Sequence, residues 1–329
     1  MKYTANEIAT ILELPHIAES AYVVEQLLTD SRRLVFAPQT LFFALPGPRR
    51  DGHEFIESLY DQGVRCFVVN KQVDLAKFKA YCTEAVFFEV PNCLIALQKI
   101  AAHHRTRFHI PVIGITGSNG KTTVKEWLYQ LLHSSCNIVR SPRSFNSQIG
   151  VPLSVWKLEP AHELAIFEAG ISTTHEMEHL TPIIKPTIGV LTHMGPAHAE
   201  GFKDATEKLQ EKLRLFETVD TLIYGKDQLQ GIEIEAHTSI FKGPITFYSW
   251  SRTAPATLVV TSEINKGTYT ELVLCYQTEH YGVEVPFTNK ASIDNAVLCM
   301  LTLLAIGKDF TFIAERMRQL TAVDMRMQF

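Results

Sequence analysis

Two glycines, a lysine and two threonine hydroxyls in "GITGSNGKTT", residues 114–123, have the types and spacing to hold a triphosphate. Gly117 and Gly120 let the backbone approach phosphate oxygens, Lys121 can reach the β- and γ-phosphates, and the Thr122 hydroxyl is placed to ligate Mg²⁺. The stretch is shorter than the usual G-x-x-x-x-G-K-[ST] loop, because Ile115 stands where that pattern has its first glycine. A turn of this kind can merely start a helix. Here, however, the apolar run "PVIGIT" precedes it, and Val124, Trp127, Leu128, Leu131 and Leu132 recur at helical spacing after it. A glycine-rich turn between a buried strand and a helix start offers an anion free N–H groups and the positive end of the helix dipole. That context favours nucleotide binding.

Three further residues could share the work. Glu168 closes the apolar run "LAIFE", a costly place for a carboxylate unless something positive faces it. His193 and His198 follow "IGVLT"; His198 sits in "GPAHAEGF", too polar and glycine-rich for a core histidine, whereas His193 reads as packed at a strand end. Lys212 lies beside the stripe of Leu209, Leu213 and Phe216, where a snorkelling surface lysine is the ordinary reading, and Lys208 precedes it by one turn. In a parallel sheet, ligands bind beyond the carboxyl ends of the strands. The phosphate loop, Glu168 and the two histidines all follow apolar runs, so their convergence is expected from the pattern alone.

The elements that must position them fall into two parts. Residues 1–108 mix helical patterns with short β-rich runs, "LFFAL", "CFVV" and "AVFFEV", and end on the helix "CLIALQKIAAHHRT"; the doublet "IP" at 110–111 reads as a domain boundary. From there strands and helices alternate through "NIVRS", "GVPLSVWKL", "LAIFEAG", "HEMEHLTPII", "IGVLTH" and "TLIYG", the signature of a parallel sheet covered on both faces. Residues 245–287 read as antiparallel strands that extend or flank that sheet, followed by the helices "SIDNAVLCMLTLLAIG" and "FIAERMRQL". The fold class is therefore α/β: a small N-terminal α/β domain, residues 1–108, then a mononucleotide-binding domain, residues 109–329, with a mainly parallel sheet and an antiparallel flanking part.

Composition narrows the function. At 329 residues with a net charge of −4, the chain lacks the basic surface that a nucleic-acid binder needs. No run is apolar for long enough to span a bilayer and no cleavage signature opens the sequence, so a cytoplasmic protein without membrane insertion is expected. The six cysteines are scattered singly and signal neither a zinc site nor a disulfide framework.

"GITGSNGKTT" resembles the shortened phosphate loop of the Mur ligase superfamily, which includes the folylpolyglutamate synthases. The resemblance covers nearly the whole chain and is nearest the MurF type, which adds D-Ala-D-Ala to UDP-MurNAc-tripeptide. "TDSRRL" at 29–34 and "LFFALPGPRRDGHEF" at 41–55 are similar to that family's UDP-sugar domain, "FNSQIGVPL" at 145–153 to its second central motif, "AHAEGF" at 197–202 to the form typical of this branch, and "NKASIDNA" at 289–296 to its adenine-contacting helix start. The resemblance implies an ATP-dependent, amide-bond-forming ligase of peptidoglycan precursor synthesis, working through an acyl phosphate.

It implies that Thr116, Gly117, Ser118, Asn119, Gly120, Lys121, Thr122 and Thr123 hold the triphosphate, with Asn295 at the adenine and Arg326 near the ribose and phosphates. Two Mg²⁺ sites are implied, one using Thr122 and Glu168, the other His198 and Lys212, whose amine takes up CO₂ as a carbamate; Lys208 is the other candidate for that modification. Lys121, Lys212 and His198 become the catalytic set. Ser31, Arg32, Asp51, His53 and Asn146 become the UDP-sugar-peptide contacts. The family's third, amine-binding domain follows the arginine of "MRMQ" and is expected to be missing here; in some relatives the chain continues into a fused alanine racemase. Two alternatives stay open at this point: a folylpolyglutamate synthase-like ligase, and a nucleotide-binding fragment with no turnover of its own.

Overall fold

The computed structural model describes residues 1–17, 21–47, 50–195, 201–229 and 233–323. They form two compact units, one of residues 1–108 with 155–159, the other of residues 109–154 and 160–329.

The first unit contains β1 (Tyr3–Thr4), α1 (Ala5–Ile11), β2 (Val23–Val24), β3 (Gln26–Leu28), β4 (Thr40–Phe43), α2 (Ile56–Asp61), β5 (Cys66–Asn70), α3 (Leu75–Tyr81), β6 (Val86–Val90) and α4 (Cys93–Thr106). Strands β3-β4-β5-β6 form an all-parallel sheet. Its strands are continuous apolar runs because helices cover it; Phe42 and Phe67 pack with Ile56 and Leu59 of α2. Asn92 starts α4 by accepting the N–H groups of Leu94 and Ile95 at 2.9 and 3.2 Å. Residues 155–159 join this unit through His104, whose Nε2 donates to the Leu158 carbonyl at 3.0 Å while Nδ1 accepts from Tyr3 Oη at 2.9 Å. Burial pushes the His104 pKa down to about 4, so the ring stays neutral and keeps both bonds at neutral pH.

The second unit contains β7 (Val112–Thr116), α5 (Lys121–Leu132), β8 (Ile138–Arg140), α6 (Gly150–Val155), β9 (Leu164–Glu168), α7 (Glu176–Ile184), β10 (Ile188–Leu191), α8 (Ala205–Leu213), β11 (Thr221–Gly225), β12 (Thr246–Ser251), β13 (Leu258–Asn265), β14 (Thr270–Tyr276), β15 (Glu279–Val285), α9 (Lys290–Ala305) and α10 (Phe310–Met317). Its described strands lie in the order β15-β14-β13-β12-β11-β10-β7-β9-β8. Strand β7 is where the windings part, with β9 and β8 on one side and β10, β11 and β12 on the other. All of these run parallel, so the carboxyl ends of β7, β9 and β10 open side by side.

One expectation is corrected here. Residues 245–287 read as antiparallel throughout, but β12 runs parallel to both β11 and β13, and only β13-β14-β15 are antiparallel. Alternating side chains look alike in either direction; the connection decides it, and the loop from β12 to β13 is not a tight hairpin. The antiparallel strands extend the main sheet rather than forming a second one.

The core of this unit explains why α5 stands where it does. Val124, Trp127, Leu128, Leu131 and Leu132 are all buried, and the Trp127 ring stacks on Phe287 at 4.5 Å while its Nε1 donates to the Thr321 carbonyl. Helix α9, apolar nearly all round, is buried from Ile293 to Leu303 and packs on α5 and the sheet. No helix among the described residues is long and apolar enough to cross a membrane.

Candidate functional site

The loop after β7 is shaped by two glycines that no other residue could replace unstrained. Gly117 has φ +146°, and a Cβ there would lie 2.0 Å from Thr192 Oγ1 and 3.0 Å from that residue's backbone carbonyl. Gly120 has φ +88°, and a Cβ there would lie 2.5 Å from Asn295 Oδ1. The backbone is fastened from the side: the Ser118 and Asn119 N–H groups donate to the His193 carbonyl at 2.9 and 3.3 Å, and Ser118 Oγ donates to the Gly195 carbonyl. His193 thus serves the loop through its main chain. Gly120 is the N-cap of α5 and has no side chain to cap that end, and no acid sits in the first turn. The positive end of the helix is therefore left for an outside anion.

Glu168 ends β9 fully buried. Its Oε1 accepts from Thr122 Oγ1 at 3.3 Å and from Asn146 Nδ2 at 3.1 Å. Its Oε2 is buried and accepts no hydrogen bond among the described residues. Burial pushes this carboxyl's pKa up, while Lys125, the Thr122 hydroxyl, Lys121 and Asn146 oppose the rise. An orphaned acidic oxygen beside a threonine hydroxyl suits a hard cation, which takes one or two protein oxygens and completes its shell with phosphate and water. No group of three or more His, Cys, Asp or Glu among the described residues could hold a metal unaided.

Three lysines ring the loop. Lys121 Nζ donates to the carbonyls of Gly117 and Ser118 at 2.9 and 3.1 Å. Lys212 Nζ donates to the Gly117 carbonyl at 3.2 Å, and Lys208 Nζ to the Gly195 carbonyl at 2.7 Å. Lys212 does not snorkel: it is 2% exposed. Burial, then the charges of Lys121 and Lys208, push its pKa down to about 7. Burial lowers Lys121 and Lys208 as well. Three lysine amines gathered at the loop favour negative charge there.

The remaining sequence candidates separate into groups. Thr116 is buried, its hydroxyl donating to the Ala169 carbonyl, and Thr123 is half-buried on α5. Asn295 packs its amide against Gly120, at the phosphate loop. Its neighbour Asp294 is gripped by Arg252 Nη2 at 2.7 Å and Gln228 Nε2 at 3.4 Å, a latch that sequence reading missed. Ser31, Asp51 and the His53 contact to β5 lie beyond the carboxyl ends of β3, β4 and β5 in the first unit. Arg32 is mostly exposed and forks onto Asp30, at 2.9 and 2.8 Å. His53 is buried with both ring nitrogens engaged, Nδ1 with Asp51 at 2.6 Å and Nε2 with the Asn70 N–H at 3.1 Å. Its evident work is to pin the "DGH" turn to β5. His198 and Arg326 lie outside the described residues.

Two family profiles match the chain: "Mur ligase family, catalytic domain" over residues 24–107 and "Mur ligase middle domain" over residues 115–303. The chain belongs to the Mur ligase family. It is similar to the UDP-N-acetylmuramoyl-tripeptide–D-alanyl-D-alanine ligase of Borreliella burgdorferi, 36% identical across 54% of this chain and 38% of that one. Among solved structures it resembles MurF from Acinetobacter baumannii, with a TM-score of 0.84 at 21% identity over 98% of this chain and 69% of that one. It also resembles MurF from Thermotoga maritima in complex with ADP, with a TM-score of 0.76 at 21% identity over 91% of this chain and 66% of that one. The chain spans about two fifths of the length of curated relatives such as the first. The Mur ligase fold here comprises the N-terminal and the middle, nucleotide-binding, units.

The two loop glycines of this Mur ligase differ in a measurable way. Gly117→Ala meets rigid backbone, whereas Gly120→Ala meets the end of a side chain. Gly117→Ala should therefore cost more stability, about 1–3 kcal/mol as a thermal or denaturant shift, because strain at such a backbone position has no soft neighbour to absorb it. Equal losses for both variants would contradict this ranking.

Proposed function

We propose that this chain is the nucleotide- and UDP-sugar-binding part of an ATP-dependent ligase that joins D-Ala-D-Ala to UDP-MurNAc-tripeptide, a cytoplasmic step of peptidoglycan precursor synthesis. The observation that carries the reading is the convergence of Lys121, Thr122 and Glu168 at neighbouring parallel strand ends, on a loop shaped by Gly117 and Gly120. The N-terminal family match supports it over the folate-ligase alternative, because residues 24–107 form the part that UDP-sugar ligases carry ahead of the phosphate loop.

The terminal carboxylate of the peptide attacks the γ-phosphorus of ATP, the β–γ bridging bond breaks, and ADP leaves an acyl phosphate. The amine of D-Ala-D-Ala then adds to the acyl carbon, and phosphate departs from the tetrahedral intermediate. Each step brings negative groups together, so the protein's task is to orient them and offset their charge. Lys121 swings from the loop carbonyls to the β- and γ-phosphates, and the first-turn N–H groups of α5 hold the phosphate oxygens. Asn295, packed against Gly120, is assigned to the base. Thr122 and Glu168 would hold one magnesium, and Lys212 as a carbamate with His198 a second. Bound magnesium supplies charge neutralisation between the phosphates and the incoming carboxylate. The reach of Lys212 to Gly117 supports it over Lys208 as the modified residue. Ser31, Arg32, Asp51 and Asn146 are assigned to the UDP-sugar-peptide, and Arg326 to the ribose side of ATP.

The test is direct. The polypeptide that carries these 329 residues in its natural gene product is incubated with ATP, Mg²⁺, UDP-MurNAc-tripeptide and D-Ala-D-Ala. Formation of pentapeptide with one phosphate per bond is the expected result. Turnover with a folate and glutamate, but none with the UDP-tripeptide, would overturn the reading.

A further inference from the structure

Lys125 follows the loop lysine by one helical turn, yet it faces inward. Its side chain is fully buried, as is that of Glu168. Its Nζ makes a short hydrogen bond to the Arg143 carbonyl, lies 3.1 Å from Glu126 Oε1, and stands 4.0 Å from Glu168 Oε2, the orphaned oxygen. Glu126 is itself shared with Arg140, whose Nε is 2.9 Å from Oε2. Arg143 has φ +49°, a left-handed conformation that a side-chain-bearing residue rarely adopts. That turn leads directly to Asn146, which packs on Gly170 and donates to the other oxygen of Glu168.

One ammonium thus reaches both the turn before Asn146 and the far side of the carboxylate that Asn146 holds. It holds the turn that delivers Asn146, and it supplies a fixed counter-charge on the side of Glu168 that no hydrogen bond reaches among the described residues. Glu126 is already shared with Arg140, so Glu168 is the fully buried acid that this ammonium faces. We propose that Lys125 is a positioning residue of the magnesium–triphosphate site, acting through Glu168 and the turn at Arg143 rather than touching nucleotide. The proposal rests on the nucleotide-ligase reading above and deepens it.

The experiment measures ATP binding by calorimetry, without Mg²⁺ and across a Mg²⁺ titration, for the wild-type protein and for K125M and K125R. K125M is expected to bind metal-free ATP nearly as well as wild type, since the loop is untouched, while its Mg²⁺ affinity in the presence of ATP falls about 10- to 100-fold, the usual cost of losing a group that orients a ligand. K125R should recover part of that loss. Unchanged Mg²⁺ dependence in K125M would overturn the role of Lys125 while leaving the nucleotide reading intact. Absence of any Mg²⁺-dependent ATP binding in the wild-type protein would overturn both. Should K125M fail to fold, K125R carries the test: a Mg²⁺ affinity in the presence of ATP below that of wild type supports the role, and a wild-type Mg²⁺ affinity overturns it.

Discussion

Replacing Lys121 by alanine should abolish measurable ATP binding and leave the fold intact. The Lys121 ammonium donates to the carbonyls of Gly117 and Ser118 in its own loop, at 2.9 and 3.1 Å. Its environment pushes its pKa down, mainly by burial, so the charge is costly to keep there without an anion. Losing one member of a desolvated, hydrogen-bonded charge pair costs about 2–5 kcal/mol, or roughly 30- to 5,000-fold in affinity. The fold survives because α5 is anchored by Val124, Trp127, Leu128, Leu131 and Leu132, none of which packs through Lys121. Alanine is also a strong helix former at the position it enters. Calorimetry with ATP, alongside a thermal melt, checks both halves. Unchanged affinity would mean that the loop does not hold the triphosphate.

Lys212→Ala should remove ligase activity, and a short carboxylate such as acetate or formate should restore part of it. The reason is the state of this amine. With its pKa at about 7, a large share is neutral at physiological pH, and only the neutral amine can attack CO₂, losing a proton to give a carbamate. That product is a carboxylate on a long arm, which a small acid in the vacated space would imitate. Isotope-labelled CO₂ should give a carbamate signal in wild type that disappears in the variant. A variant with full activity would sink the assignment; a signal that moved to Lys208 would transfer it by one turn.

The same lysine sets a pH dependence of stability. Its unfolded pKa is near 10.5 and its folded pKa is lowered to about 7, so between these values the unfolded chain binds more protons. Stability of the unmodified protein therefore rises with pH through this window, by about 1.4 kcal/mol per pH unit where the difference is one full proton. Lys212→Met should flatten that slope in denaturant titrations at pH 7 to 10. An unaltered slope would mean that the amine is solvated.

Much of this molecule follows from short-range sequence signals. The span of α4 agrees with its reading residue for residue, since an N-cap and an apolar stripe are both local. The loop was legible for the same reason. "GSNGKTT" stands between a run buried on both faces and an amphipathic helix, and the glycines are needed at φ +146° and +88° whatever lies elsewhere. The position of Glu168 at a strand end could also be read, because an acid closing an apolar run must meet something positive.

Other features had no local signature. Strand β12 shows the same alternation whether it runs parallel or antiparallel, so its direction waited on which neighbours it found. Lys212 reads as a surface lysine, and only the packing of α8 on the phosphate loop buries it. The second nitrogen of His53 is met by the end of β5, 17 residues along the chain. Lys125 left a faint trace: it shares a helix face with Leu128 and Leu132, where a charge needs a counter-ion, but that partner lies 43 residues along the chain, on a different strand. The sequence by itself determined the loop, the helix behind it and the alternation that builds a parallel sheet, because each depends on neighbours within a few residues. The tertiary structure alone decided which charges are buried, which way β12 runs and which lysine stands on the loop, because desolvation and Coulomb interaction depend on distance in space and not on distance along the chain.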